Sequence, residues 1–242
     1  MIEKNYQELL KEGLIKQKVS FDNTKIEKLV KFLDMLLDAN KEVNLTSITD
    51  PQEAIYKHFI DSLSVIPYLK EYKNLRIIDV GTGAGFPGIP IQIVMADTKM
   101  TLIDSTNKKV NFLKRVVDEL DIADVDCIHT RAEDLARNSE HREEYDLVLS
   151  RALAPLNLLL ELCMPFAKVG GIFIAYKSKE VYKEIEKSKK ALKLLGGQIK
   201  ELKRVEVTGV EAERYLVIIE KTKKNLPAYP RKPGIPQKRP IE

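Results

Sequence analysis

Gly81, Gly83 and Gly85 stand at every second position directly after the apolar run Leu75, Ile77, Ile78 and Val80, and few folds accept that join. A short apolar run without polar alternation reads as a strand buried on both faces of a parallel sheet. Glycine adopts positive φ and lets a ligand approach the main chain with no Cβ in the way. Pro87 and Pro90 then punctuate a second apolar run of Ile89, Ile91, Ile93, Val94 and Met95. Proline is well placed in a first helical turn, where its missing N–H has no partner to lose. The stretch is therefore predicted as strand, bare loop and helix, with free amides above the carboxyl end of the strand.

The class of ligand follows from the residues around those glycines. Residues 83–88 satisfy GxGxxG, the dinucleotide pattern. Counted from Gly81, the first glycine after the strand, the last glycine position is instead held by Phe86. Asp79 would place a carboxylate beneath a pyrophosphate, where like charges repel. The carboxylate is tolerable beside a cationic ligand or hydrogen-bonded to the loop amides, and S-adenosylmethionine (SAM) carries a sulfonium cation and no phosphate. SAM is thus the expected cofactor.

Further polar residues fall in phase with this loop. Lys99–Asp104 is the next predicted strand, and Asp104 arrives roughly twenty residues after the glycines, where a ribose diol is held. Strands are also expected over 126–130, 145–150, 172–176, 198–207 and 215–221. Glu133 follows the third strand and would meet the adenine edge. Arg151 follows the fourth and Lys177 ends the fifth. Ligands of such sheets lie over the carboxyl ends of the strands, and Gly81, Asp104, Glu133, Arg151 and Lys177 all sit there. The expected fold is α/β: a Rossmann-like class I SAM-dependent methyltransferase with a seven-stranded, mostly parallel sheet, helices on both faces, and an antiparallel member from the last strand pair.

Three regions are expected in the 242 residues: an N-terminal helical extension (1–70), the methyltransferase domain (71–222) and a basic, proline-rich tail (223–242). In the first, a short helix should end near Gly13, and a stronger one follows Asp22 with Ile26, Leu29, Val30, Leu33, Leu36 and Leu37 at helical spacing. Asp50-Pro51 starts another, on which His58 and Asp61 are neighbours; with Asn44 they could line the mouth of the cofactor pocket. Residues 181–195 read as one Lys/Glu-rich helix stopped by Gly196-Gly197. The tail holds five prolines in its twenty residues, which opposes regular helix or sheet. Its Lys223, Lys224, Arg231, Lys232, Lys238 and Arg239, with Tyr229 among them, suit a phosphate backbone carrying an exposed base.

Composition bounds the partners. The formal charge is +4 and the isoelectric point about 8.8, permissive of nucleic acid without requiring it. Cys127 and Cys163 lie in apolar runs without metal-ligand spacing or a disulfide framework. No metal is expected and no membrane association; a cytoplasmic protein fits the reduced thiols and the charged N-terminus, and a monomer is expected, although the sequence does not fix the oligomeric state.

Methyl transfer is an in-line displacement, so positioning supplies much of the catalysis. A pyrimidine C5 acceptor would require a nucleophile such as cysteine, and none follows the fourth or fifth strand. An exocyclic adenine amine usually meets an Asn/Asp-Pro-Pro-aromatic loop, whereas this chain has Ser150-Arg151-Ala152-Leu153-Ala154-Pro155. A ring nitrogen such as guanine N7 has an in-plane lone pair and no proton to lose. It needs only donors to hold the base and its phosphates, which Arg151 and Lys177 could supply through guanine O6 or phosphate.

DVGTGAGFPGIP at 79–90, LIDS at 102–105, RAED at 131–134, SRALAP at 150–155 and the YPRKPGIPQKRPI tail together resemble the 16S rRNA guanine-N7 methyltransferase family, also called glucose-inhibited division protein B. NLTSI at 44–48 and HFIDSL at 58–63 match its N-terminal part. The resemblance implies methylation of the guanine at position 527 in the 530 loop of 16S rRNA, free or within the small subunit. It implies SAM contacts at Gly81, Phe86, Asp104, Ser105, Thr106, Ala132, Glu133 and Arg151, to which the bare loop adds Gly83. Two other readings remain open: a small-molecule or protein methyltransferase on the same fold, and a non-catalytic SAM-binding assembly protein.

Overall fold

The computed structural model describes residues 2–69 and 72–242. The chain begins with α1 (Ile2–Lys16) and α2 (Asn23–Val43). Asp22 caps α2 by accepting the Lys25 N–H at 2.8 Å, and Asn44 ends it in the left-handed conformation, φ 51°. Asp50 caps the next helix in the same way, accepting from Glu53 N–H at 2.7 Å. That helix is composite: α3 (Pro51–Ala54), a π-helical turn over Ile55–Ile60, and α4 (Asp61–Leu63).

The sheet unit follows as β1 (Arg76–Val80), α5 (Gly88–Val94), β2 (Lys99–Asp104), α6 (Asn107–Glu119), β3 (Val125–His129), α7 (Ala132–Leu135), β4 (Tyr145–Arg151), α8 (Leu156–Cys163) and β5 (Ala167–Lys177). Then come α9 (Val181–Lys187), α10 (Lys189–Leu195), β6 (Gly197–Val205), β7 (Arg214–Lys221) and α11 (Ile235–Lys238). The seven strands lie in the order β3-β2-β1-β4-β5-β7-β6, with β1 to β5 parallel and β7 antiparallel to both its neighbours. The chain winds outward from β1 to β3 and returns to β4 on the other side of β1. A crevice therefore opens above the carboxyl ends of β1 and β4, the switch point of the sheet.

Strand alternation divides the core. Ile77, Leu102, Leu147, Leu149 and Ile174 face one side, under α2, α5, α6 and the composite helix. Ile78, Val80, Ile103, Val148 and Phe173 face the other, under α8 and α10. The N-terminal helices thus share a core with one face of the sheet. Phe32 of α2 is fully buried and stacks on Phe86 of the glycine loop, with centroids 5.1 Å apart.

Four local expectations need correcting. Gly13 lies inside α1, where a Cβ would come within 2.6 Å of Ile60, so its role is close helix approach. The fifth strand begins at Ala167, five residues before the expected 172, and carries Gly170-Gly171 within it, because the register jumps from Tyr145↔Ala167 to Leu147↔Ile172 and the extra residues bulge. A Cβ on Gly171 would crowd three carbonyl oxygens at 2.9–3.1 Å. Residues 181–195 form two helices, broken at buried Ser188, whose hydroxyl donates to Glu184 O at 2.6 Å. The tail contains one helical turn, α11, and packs against the core through Ile241.

Candidate functional site

The glycine loop is wound by left-handed residues: φ is 72° at Gly81, 62° at Gly83 and 100° at Gly85. Asp79 braces it from below, accepting the Gly88 N–H at 2.9 Å through Oδ2 while fully buried. Its Oδ1 and the Thr82 hydroxyl have no hydrogen-bond partner. Burial pushes the Asp79 carboxyl up to about 6, against the Thr82 hydroxyl, the Gly88 amide and Arg151, which pull it down. The hydroxyl is near enough to lower that value but is not aligned to bond. Asp79 lines neither cavity of the crevice, so it holds the loop and is not exposed to a ligand.

Asp104 ends β2 beside the loop. Its Oδ2 accepts the Gly83 N–H at 3.0 Å and its Oδ1 accepts the Thr106 N–H at 2.8 Å. Each carboxylate oxygen has a second lone pair, so the carboxylate keeps acceptor capacity for two hydroxyls.

Two cavities adjoin at Gly81, Asp104 and Leu153. The larger, about 380 Å³, has apolar walls from Ile103, Ala132, Leu158, Leu162 and Pro155, with polar groups at Ser105, Glu133 and Asn157. The smaller, about 260 Å³, is lined by Thr46, His58, Gly83, Phe86, Lys109 and Arg151. Leu153 lies directly over Gly81, where an added Cβ would stand 2.7 Å from its methyl, and it divides the two. Ala152, just before it, is left-handed at φ 52°, a backbone strain of the kind that collects at functional sites.

Arg151 is anchored from three directions. Its Nη1 donates to Lys57 O and to Asp61 Oδ2, both at 2.8 Å, and its Nη2 meets His58 Nδ1 at 3.2 Å. The guanidinium lies 5.5 Å from the Phe86 ring centroid. Asp61 Oδ1 approaches Arg214 Nε of β7 at 3.3 Å as an ion pair without hydrogen-bond alignment. His58 stacks on Phe86 at 4.8 Å and contacts Thr46 Oγ1 through Nε2 at 2.8 Å. Burial, and then the Arg151 charge, push the His58 pKa down to about 3, so the ring is neutral. With Arg151 donating to Nδ1, the ring proton belongs on Nε2, directed at Thr46.

Of the residues singled out in the sequence, Gly81, Gly83, Phe86, Asp104, Ser105, Ala132, Glu133 and Arg151 converge on this crevice. Thr106 contributes its amide to Asp104, and its side chain points to solvent. Asn44 is a helix cap, with Thr46 in the position expected of it. His58 and Asp61 meet through Arg151. Lys177 requires a correction: it lies outside both cavities, its buried ammonium donating to Ala154 O at 2.8 Å and pairing with Glu184 at 2.5 Å. It ties down the loop after β4 and presents no free charge.

The tail requires another. Arg231 forms a two-pronged ion pair with buried Glu161 of α8, with contacts of 2.6–3.2 Å, and Gln237 and Pro240 line the larger cavity. Lys223 and Lys224 sit apart, grouped with Lys190 and Lys193 of α10. Leu153, Lys109, Asn157 and Gln237 were not anticipated; only the placement of Lys109 in the first turn after Asp104 offered a signal. Among the described residues no His, Cys, Asp and Glu cluster could hold a metal, and no helix is long and apolar enough to cross a membrane.

Comparison with known proteins meets this geometry. The model of the family GidB, rRNA small subunit methyltransferase G, matches residues 25–216. A protein of Alkaliphilus metalliredigens named ribosomal RNA small subunit methyltransferase G is 45% identical over 236 residues, 97% of this chain and 98% of the relative. One of the same name from Acetivibrio thermocellus is 45% identical over 96% of both chains. Among solved structures, a SAM-dependent methyltransferase from Aquifex aeolicus aligns with a TM-score of 0.55 at 18% identity, covering 74% of this chain and 97% of its own. A ribosomal protein L11 methylase from Lactobacillus delbrueckii aligns with a TM-score of 0.53 at 18% identity, covering 69% and 79%. At that identity these two speak for the fold alone.

Proposed function

Since this chain belongs to the GidB family of rRNA small subunit methyltransferase G, we propose that its crevice carries out SAM-dependent methylation of guanine N7 in 16S rRNA, at position 527 of the 530 loop. The observation that carries the reading is the position of Asp104, on the border of two adjoining cavities, the larger walled by Ile103, Ala132 and Leu158 with polar groups at its edge and the smaller lined by Arg151 and Lys109. A nucleoside with a charged tail has that division: a flat ring, a diol and a zwitterionic chain.

The residues present fit the cofactor. The larger cavity suits the adenine, with Ala132 and Ser105 beside it and Glu133 at its edge. Asp104 would accept the ribose hydroxyls through the lone pairs that the Gly83 and Thr106 amides leave free. Contrary to the expectation of free amides at the strand end, those of Gly81 and Gly83 donate to Ile103 O and to Asp104 Oδ2 at 3.0 Å. What the loop offers the amino-acid chain is a main chain bare of Cβ atoms, with Phe86 behind it and Arg151 and Lys109 beside it in the smaller cavity. When bound, the sulfonium supplies an activated methyl group. The chain's own residues orient the reactants and exclude water.

An N7 acceptor has no proton to lose, and the crevice offers no general base to take one: His58 is committed to Arg151 and Thr46. It also offers no thiol nucleophile, since neither Cys127 nor Cys163 lines either cavity, and burial pushes both thiols up. Arg151, fixed by Asp61, Lys57 and His58, positions the guanine or its phosphate, and Lys177 acts through the loop it anchors. Small-molecule and protein acceptors give way to rRNA on family membership.

The test is methyl transfer from labelled SAM to small subunits lacking the modification, followed by nucleoside mass mapping. One 7-methylguanosine in the 530 loop is expected. A different methylated nucleoside, or a chain that binds no SAM, would refute the proposal.

A further inference from the structure

Residues 226–242 carry the composition of a loose basic arm, yet several independent contacts hold them down. Arg231 grips Glu161, which is only 1% exposed, and the Arg231 N–H donates to the same carboxylate at 2.8 Å. Arg142 donates to Tyr229 O at 2.9 Å, and Arg137 to Pro230 O at 2.5 Å. Ile241 is buried in the core beneath α8. The Gly234 N–H donates to Glu133 Oε1 at 3.1 Å, and Glu133 lines the larger cavity. Gln237 and Pro240 line the same cavity as Ile103 and Asp104.

We propose that residues 231–242 are the outer wall of the purine end of the cofactor cavity, with Gln237 its polar contact, so that docking of this segment and cofactor binding reinforce each other. This rests on the crevice being the SAM site. Gln237 is the one wall residue of this segment whose side chain can both donate and accept at a ring edge. A ligand that touches the segment only when it is docked must stabilise the docked form, and the coupling is reciprocal. Glu133 acts here as a positioning residue, because its carboxylate is bonded to the segment. The cations left on the outer side, Lys232, Lys238 and Arg239, are exposed beside the wall.

Hydrogen exchange on the full chain, with and without saturating S-adenosylhomocysteine, tests the coupling directly. The amides of Gly234, Ile235, Lys238 and Arg239 each have a bond to lose, and they should exchange about tenfold more slowly with ligand bound. By calorimetry, Gln237→Ala should weaken homocysteine-adduct binding by about threefold to tenfold, one hydrogen bond's worth, without lowering the melting temperature. A chain ended after Lys232 should bind more weakly still. Unchanged exchange at those four amides while the ligand is bound elsewhere in the crevice would overturn the inference. So would a folded, shortened chain that binds within about twofold of the full one. If the shortened chain does not fold, the exchange result on the full chain decides. A full chain that binds no S-adenosylhomocysteine overturns the functional reading itself, a distinguishable failure.

Discussion

Asp61→Ala should unfold this protein's site from the middle. Asp61 is 4% exposed and faces Arg151 at 2.8 Å and Arg214 at 3.3 Å. The two arginine side chains are 12% and 24% exposed, so little water is available to replace the carboxylate. Truncation leaves two guanidinium groups facing each other across a cavity. Breaking a buried ion pair in this way costs about 3–5 kcal/mol, and the partial exposure of Arg214 argues for the lower end. In a chain of this size ~3 kcal/mol lowers the melting temperature by roughly 6–12 °C. Urea unfolding followed by circular dichroism gives the free energy, and calorimetry with S-adenosylhomocysteine gives the effect on binding. Adding Arg214→Met should recover part of the loss, because one of the opposed charges then goes. A loss below ~1 kcal/mol, the value of an exposed pair, would mean that Asp61 does not hold Arg151, and the account of the anchored cation would fail.

Three further outcomes are expected. His58 has a folded pKa of about 3 against 6.5 unfolded, so the unfolded chain takes up a proton between those values that the folded chain refuses, and stability falls as pH drops through that window. Asp79, raised to about 6 from 3.8, acts in the opposite sense between its own two values, so the informative measurement is His58→Gln against wild type; from pH 7.5 to 5 the variant should lose ~1–2 kcal/mol less, after allowing for partial exposure of the ring, and equal losses would contradict a buried neutral histidine. Gly88→Ala places a methyl against Leu102 and Asp79; it should destabilise by ~1–3 kcal/mol and weaken cofactor affinity with it, and a neutral result in thermal melts would remove Asp79 as the brace of the loop. Arg231→Ala leaves buried Glu161 with one main-chain donor and should cost ~2–4 kcal/mol or detach the tail, visible as new proteolysis at 223–242; unchanged stability together with an unchanged cleavage pattern would refute Arg231 as the anchor of the tail.

The loop, the strand order of types and the acid after β2 could be read from the sequence because each depends on near neighbours. A glycine that must turn, an apolar run that must be buried and a carboxylate at the next strand end are local facts. Arg151 was legible as a residue at a strand end, but its partners were not: Asp61 lies 90 residues away and Lys57 lies 94, and a helix surface pair of His58 and Asp61 has the same local pattern. Lys177 failed for a similar reason, since a lysine at a strand end looks identical whether or not a glutamate from α9 has claimed it. The tail misled because proline and positive charge describe both a free arm and a strapped one. One sign was available: Glu161 is the lone carboxylate in the apolar run Leu156–Cys163, and a charge placed there needs a cation from elsewhere. The break at Ser188 and the bulge of β5 depend on a side-chain bond and a register that no periodicity encodes.

The wide turn over Ile55–Ile60 holds one more residue per winding than its flanks, as such turns do. Each residue of ordinary helix advances the azimuth by about 100°. Losing a single residue there would let the segment wind conventionally and leave the flanking turns nearly in phase, because the wider winding already absorbs the extra residue, so the change would fall on the side chains of the turn itself. A residue lost between Lys57 and Asp61 would change their relative placement, and the Lys57 carbonyl and the Asp61 carboxylate could then no longer grasp the same guanidinium. Within this family, length variation should be tolerated in the approaches to this helix, and a one-residue deletion inside it should be as damaging as removing a side chain that touches the nucleobase.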